Sequence, residues 1–163
     1  MAEKNNFKNI LLLFGAVGIT AFLFKRLKKM DRPSKNFTWA EFASKDGAEM
    51  PAAVKQNIKK LAQNLEVIRS YFNLPIKINS GWRSEAHNRK IGGVKNSTHV
   101  KGKAADITVK GKTAAEVQNG IEILINAGKI SQGGLGKYPN FTHYDIKINH
   151  ANFVIFFFFW LKQ

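Results

Sequence analysis

SGWRSEAHNRKIGGVKNSTHVKGKAAD, residues 80–106, decides how this chain is read, because it places His99 seven residues before Asp106 with Gly102 between them. On an unbroken strand side chains alternate with period two, so an odd separation throws the pair onto opposite faces. Two turns of helix would align them, but residues 104–109 read A-A-D-I-T-V, with β-branched side chains that favour a strand, and Gly102 interrupts the interval. A loop carrying His99, a turn near Gly102 and a strand from about Ala104 to Val109 would fold both side chains back onto one point.

Working outward, Pro51 opens PAAVKQNIKKLAQNLEVIRSYF, where Val54, Ile58, Leu61, Leu65 and Ile68 recur at helical spacing. Before it, TWAEFAS sets Thr38 three residues ahead of Glu41, the capping-box pattern of a short helix. Leu74 to Asn79 alternates apolar and polar as a strand does. Residues 113–127 predict a second amphipathic helix capped by Thr113 with Glu116, and FTHYDIKI predicts the last clear strand. Helices grouped early with strands spread between loops indicate a small α+β domain.

The two ends have another character. An uncharged run of 16 residues, 9–24, lies between Lys8 and Lys25 and would span about 24 Å as a helix. Flanking Lys8, Lys25 and Arg26 can snorkel to complete a crossing, so residues 1–30 are expected to be a membrane anchor with a basic flank. A cleaved signal peptide competes, but F-K-R-L-K-K follows the run where a small-residue cleavage site would be needed. Residues 31–36 are expected to be a polar linker, and 150–163 a hydrophobic tail whose FVIFFFFWLK, with its core at 153–161, suits a second membrane contact or a partner.

The chain has no cysteine, which excludes disulfides, thiolate zinc sites and a cysteine nucleophile. Any metal must be held by histidine and carboxylate. The formal charge is +15, of which residues 1–35 carry +6. Such a balance suits nucleic acid, anionic lipid or an anionic wall polymer, but the basic residues lack the aromatic interleaving of a nucleic-acid motif, and no nucleic-acid partner is expected.

Of the four histidines, His99 and His143 are the candidates for chemistry, with His87 and His150 expected to be structural or at the surface. His143 and Asp145 are two apart on a strand and share a face. A zinc ion on His99, Asp106 and His143 would have three protein ligands and an open fourth position, as catalytic sites do. Spacing alone leaves this open.

SGWRSEAHN, then STHVKGKAAD, then GGLGKYPNFTHYDI together resemble the M15 family of zinc D-Ala-D-Ala peptidases, which includes L-alanoyl-D-glutamate endolysins of phages, and the resemblance implies a hedgehog-like core with an antiparallel sheet and flanking helices. The similarity runs from about Phe37 to Ile148, within a domain taken as 37–149. Residue by residue, the resemblance implies zinc ligation by His99, Asp106 and His143, and makes Arg83 the group that holds a substrate carbonyl or carboxylate. Ser97 would support the site, and Asp145 matches the acid after the last ligand. Several relatives carry an acid three residues before the last histidine, where this chain has Asn140. A neutral amide cannot be a general base, which leaves Asp145 either as its substitute or as the residue that orients His143.

The expectation is a membrane-anchored zinc peptidase cutting peptidoglycan stem-peptide bonds that involve D-amino acids, as carboxypeptidase or endopeptidase. It would sit at the bacterial inner membrane facing the periplasm, or in a lipid-containing virion as a phage lysis or wall-entry enzyme. The basic flank after the 9–24 run favours a cytoplasmic domain and opposes the periplasmic placement. The alternatives are a catalytically inactive domain that binds peptidoglycan and a structural membrane protein that retains the fold.

Overall fold

The computed structural model describes residues 31–147. The expected anchor at 9–24, the tail at 153–161 and His150 lie outside the described residues. Within them no helix is long and apolar enough to cross a membrane.

Among the described residues, four helices and four strands follow one another as α1 (Trp39–Phe42), α2 (Ala52–Phe72), β1 (Ile76–Ser80), α3 (Glu85–Lys90), β2 (Ala104–Val109), α4 (Ala114–Asn126), β3 (Leu135–Lys137) and β4 (Thr142–Asp145). The strands form one antiparallel sheet in the order β1-β2-β4-β3. The α+β architecture with flanking helices is therefore observed, and the strand expected at 104–109 occupies those residues.

Helix α2 forms where the sequence repeats apolar residues at helical spacing, burying Ile58, Leu61, Ala62, Leu65 and Ile68 along one stripe. It stops at Asn73, whose φ of 50° is the left-handed conformation that commonly closes a helix. Helix α4 starts at a capping box: the Thr113 hydroxyl accepts from Glu116 N–H, and the Glu116 carboxylate accepts from Thr113 N–H at 2.8 Å. Glu41 closes on Thr38 in the same way at the head of α1. Both helices pack on the sheet face that carries Ala105, Ile107, Val109 and Tyr144, giving a core completed by Phe37, Phe42 and Trp82.

Residues 33–36, read from sequence as linker, are pinned to α2. Glu66 accepts from the Ser34 hydroxyl at 2.7 Å and from the Asn36 backbone and amide at 2.6 Å each, while Pro33 is buried.

The other sheet face positions the site. Asp106 on β2 lies opposite His143 on β4, His143 lies opposite Gly136 on β3, and Ser80 on β1 lies opposite Asp106. Ser80 reaches that row because the register slips between Ile78 and Ser80, where β1 spends two residues against one of β2. Such a bulge re-aims the side chain that follows it. Without it, Asn79 would stand opposite Asp106.

Candidate metal centre

His99 comes to Asp106 through the loop and turn expected from its odd spacing. The Gly102 N–H donates to the His99 carbonyl at 3.0 Å and Lys103 N–H to the Thr98 carbonyl at 2.9 Å, closing the turn. Gly102 has φ +66°, and a Cβ there would stand 2.7 Å from Val54 Cγ1, so the turn needs glycine for its conformation and for its closeness to α2. Ser97, also buried, accepts from the His99 N–H at 3.3 Å and so braces this loop.

Three donor atoms converge. His143 Nδ1 lies 2.8 Å from Asp106 Oδ1, and His99 Nε2 lies 3.2 Å from both. The donors of a four-coordinate ion with bonds of about 2.0–2.1 Å stand about 3.3 Å apart, so three corners of a metal polyhedron are nearly formed. This trio is a group able to hold a metal ion. The far atoms of the three side chains are occupied in ways that aim them inward. The Gly81 carbonyl accepts from His99 Nδ1 at 2.7 Å, which fixes the proton there and leaves Nε2 as the lone-pair nitrogen of the neutral ring. Asp106 Oδ2 accepts from Arg83 Nη2 at 2.6 Å, and Arg83 Nε donates to Ser80 Oγ at 2.8 Å. His143 Nε2 faces Asp145 Oδ2 at 3.6 Å.

Asp145 is itself held by the backbone. Its Oδ1 accepts from Gly134 N–H and Lys147 N–H, each at 2.9 Å. The pair Gly133–Gly134 makes this possible, since a Cβ on Gly133 would fall 1.8 Å from the Asp145 carbonyl oxygen.

Electrostatics follow from these contacts. Burial pushes the Asp106 carboxyl up, but hydrogen bonds from His143 and His99 outweigh it and hold the group well below the usual carboxylate range. Burial opposes charge on His143, yet Asp106 and Asp145 together raise it to about 9. Asp145 is lowered in spite of burial by His143 and its two backbone donors. The Asp106 and His143 shifts are two views of one contact, and their energies do not add.

The trio lies in a cleft of ≈ 620 Å³ lined by Arg83, Ser97 and Asp145, with Val94 on the 92–98 loop, the stacked rings of Tyr138 and Phe141, and Lys147. All six candidate site residues therefore meet in one place: His99, Asp106, His143, Arg83, Asp145 and Ser97. Asn140 does not join them. It is exposed in the β3–β4 turn and lines a different hollow with Ile107 and Lys112. His87 sits on α3, beside another hollow near Trp82. Sequence reasoning missed Ser80, the Gly81 carbonyl, the Gly134 amide and Lys147. The Gly-Gly pair was the available signal for the cradle around Asp145, and nothing local marked the others.

Residues 35–145 match the family described as Peptidase M15, which covers more than half of the chain. A Haemophilus influenzae protein named probable peptidoglycan L,D-endopeptidase MepK is 35% identical over 96 residues, an alignment that takes in 55% of this chain and 48% of that protein. The chain thus spans about half the length of this relative.

Proposed function

This chain belongs to the peptidase M15 family, and on that footing we propose that it is a zinc-dependent peptidoglycan peptidase hydrolysing stem-peptide bonds that involve D-amino acids. The observation that carries the reading is the convergence of His99 Nε2, Asp106 Oδ1 and His143 Nδ1 at the floor of an open cleft. Two imidazoles and one carboxylate are a donor set suited to zinc, and three protein donors leave room for substrate or water, as catalytic rather than structural sites do. When bound, zinc supplies Lewis acidity that polarises a carbonyl and brings the pKa of water towards about 7.

The chain's own residues divide the remaining work. Arg83, fixed on the cleft wall by Asp106 and Ser80, keeps the Asp106 carboxylate turned inward and offers its remaining N–H groups to charge developing on the scissile carbonyl oxygen. Asp145 orients His143 through the face of the ring away from the trio. Asp145 also lines the cleft as a carboxylate outside the ligand set, and so is the candidate acceptor of the proton released by attacking water. Ser97 braces the backbone that carries His99.

The substrate class rests on the wall-peptidase name of the Haemophilus relative and on the +15 charge, which favours approach to an anionic polymer. The domain layout is proposed as anchor 1–30, linker 31–36 with its residues 33–36 held against α2, peptidase 37–149 and tail 150–163, with the chain held at a membrane facing the wall, whether cellular or of a lipid-containing virion.

The test is digestion of purified peptidoglycan by the full chain with zinc or with chelator, followed by mass analysis. The proposal expects peptide fragments that require zinc and vanish in His99→Ala. A second reading, a wall-binding domain without hydrolysis, draws on Asn140 standing where several relatives carry an acid; zinc-independent binding with no fragments would favour it.

A further inference from the structure

We infer that Lys147 is the specificity-determining residue of this cleft, pairing with the free α-carboxylate of the D-amino acid on the amine side of the scissile bond; this rests on the peptidase reading above. An amide bond to a D-residue that ends a stem, or that continues the stem through its side chain, leaves that residue's own α-carboxylate free. A cleft that selects such bonds needs a cation beside the reacting atoms.

Among the described residues, Arg83 and Lys147 are the lysine and arginine side chains lining the cleft. Arg83 is held towards the trio, Nη2 to Asp106 Oδ2 at 2.6 Å and Nε to Ser80 Oγ at 2.8 Å, and its remaining N–H groups serve the scissile carbonyl oxygen. The Lys147 side chain is not so held. Its backbone N–H is tied to Asp145 Oδ1 at 2.9 Å, which plants the base of the side chain next to the His143–Asp145 pair. Its ammonium makes no ion pair with any described residue. Nor does Asp145 draw it in, since Asp145 Oδ1 already takes two backbone donors and Oδ2 faces His143. An exposed ammonium on a flexible four-carbon stem, rooted beside the His143–Asp145 pair and with no ion-pair partner among the described residues, suits a substrate carboxylate as a point charge.

The experiment uses the full-chain zinc protein and two peptides that differ only in the leaving D-residue, one with a free α-carboxylate and one with its carboxamide. The readout is the ratio of kcat/KM between them, together with the ratio of Kd from calorimetry, which needs no turnover. An exposed ion pair predicts a preference of about 1.5- to fivefold for the carboxylate. Lys147→Met collapses the ratio towards unity, and Lys147→Arg keeps it. A ratio unchanged in Lys147→Met overturns the inference, as does a wild type with no preference. If the wild type cuts neither peptide yet binds the carboxylate form with a Lys147-dependent preference, the hydrolase reading fails and the carboxylate site stands.

Discussion

Replacing Arg83 by methionine keeps most of the side chain's bulk while removing the charge that faces Asp106. The pair is close, 2.6 Å from Nη2 to Oδ2, and nearly enclosed, with the two side chains 17% and 9% exposed. Breaking a buried ion pair from one side costs about 3–5 kcal/mol, mostly from the carboxylate left without a partner. Here the loss is smaller because His143 and His99 also bond Asp106, so the expected destabilisation of the metal-free protein is about 2–3 kcal/mol. With a urea dependence of about 1.5 kcal/mol per molar, the unfolding midpoint falls by about 1.3–2 M. Zinc on the trio neutralises the same carboxylate, so with one equivalent of zinc the loss shrinks to about 1 kcal/mol. Urea titrations followed by tryptophan fluorescence, to which buried Trp82 contributes, with and without metal, read both numbers. Equal losses in the two conditions would refute the reasoning, because they would mean that Arg83 and the metal do not act on one carboxylate.

His143 gives a pH prediction. Its pKa, raised from 6.5 to about 9 in the metal-free protein, means that its contacts stabilise the fold fully below about pH 6.5 and that this contribution is lost as pH rises through 9. Metal must displace that proton, so zinc binding near pH 7.5 should release about one proton, seen as a buffer-dependent heat in calorimetry; no buffer dependence would contradict it. Gly102→Ala places a Cβ 2.7 Å from Val54 Cγ1 at a φ of +66°, and should cost about 2 kcal/mol, lowering Tm by about 6–10 °C. Asn140→Asp should leave hydrolysis unimproved, because the residue lines a hollow other than the cleft; a gain in kcat would return the general base to that position. Asp145→Asn should weaken zinc binding by about 10- to 100-fold in a chelator competition, whereas unchanged affinity would remove its orienting role.

What was legible in the sequence was whatever a short window encodes. The strand at 104–109, the helix from residue 52 and the capping box at Thr113 each follow from neighbours within a few residues, and the structure shows each of them. The inward fold of His99 was readable because an odd spacing and one glycine left few geometries open. The short elements escaped: α3 has six residues and β3 has three, too few to show a period, and β3 exists only because β4 pairs with it. Long-range pairings escaped as well. The slip after Ile78 that brings Ser80 opposite Asp106 is set by the partner strand, and the hold of Glu66 on Ser34 and Asn36 joins residues about thirty positions apart. Arg83 was expected to face substrate; its bonds to Asp106 and Ser80 depend on that same slip and could not be read from its neighbours.

The central claim is that His99, Asp106 and His143 together hold the metal, and zinc-edge X-ray absorption on the full chain loaded with one equivalent tests it most directly. The account predicts one zinc per chain in a shell of nitrogen and oxygen only, at about 2.0–2.1 Å, with outer scattering from two imidazole rings that falls to one in His99→Ala. Zinc well below stoichiometry, or a shell that is the same in His99→Ala as in the wild type, would contradict it.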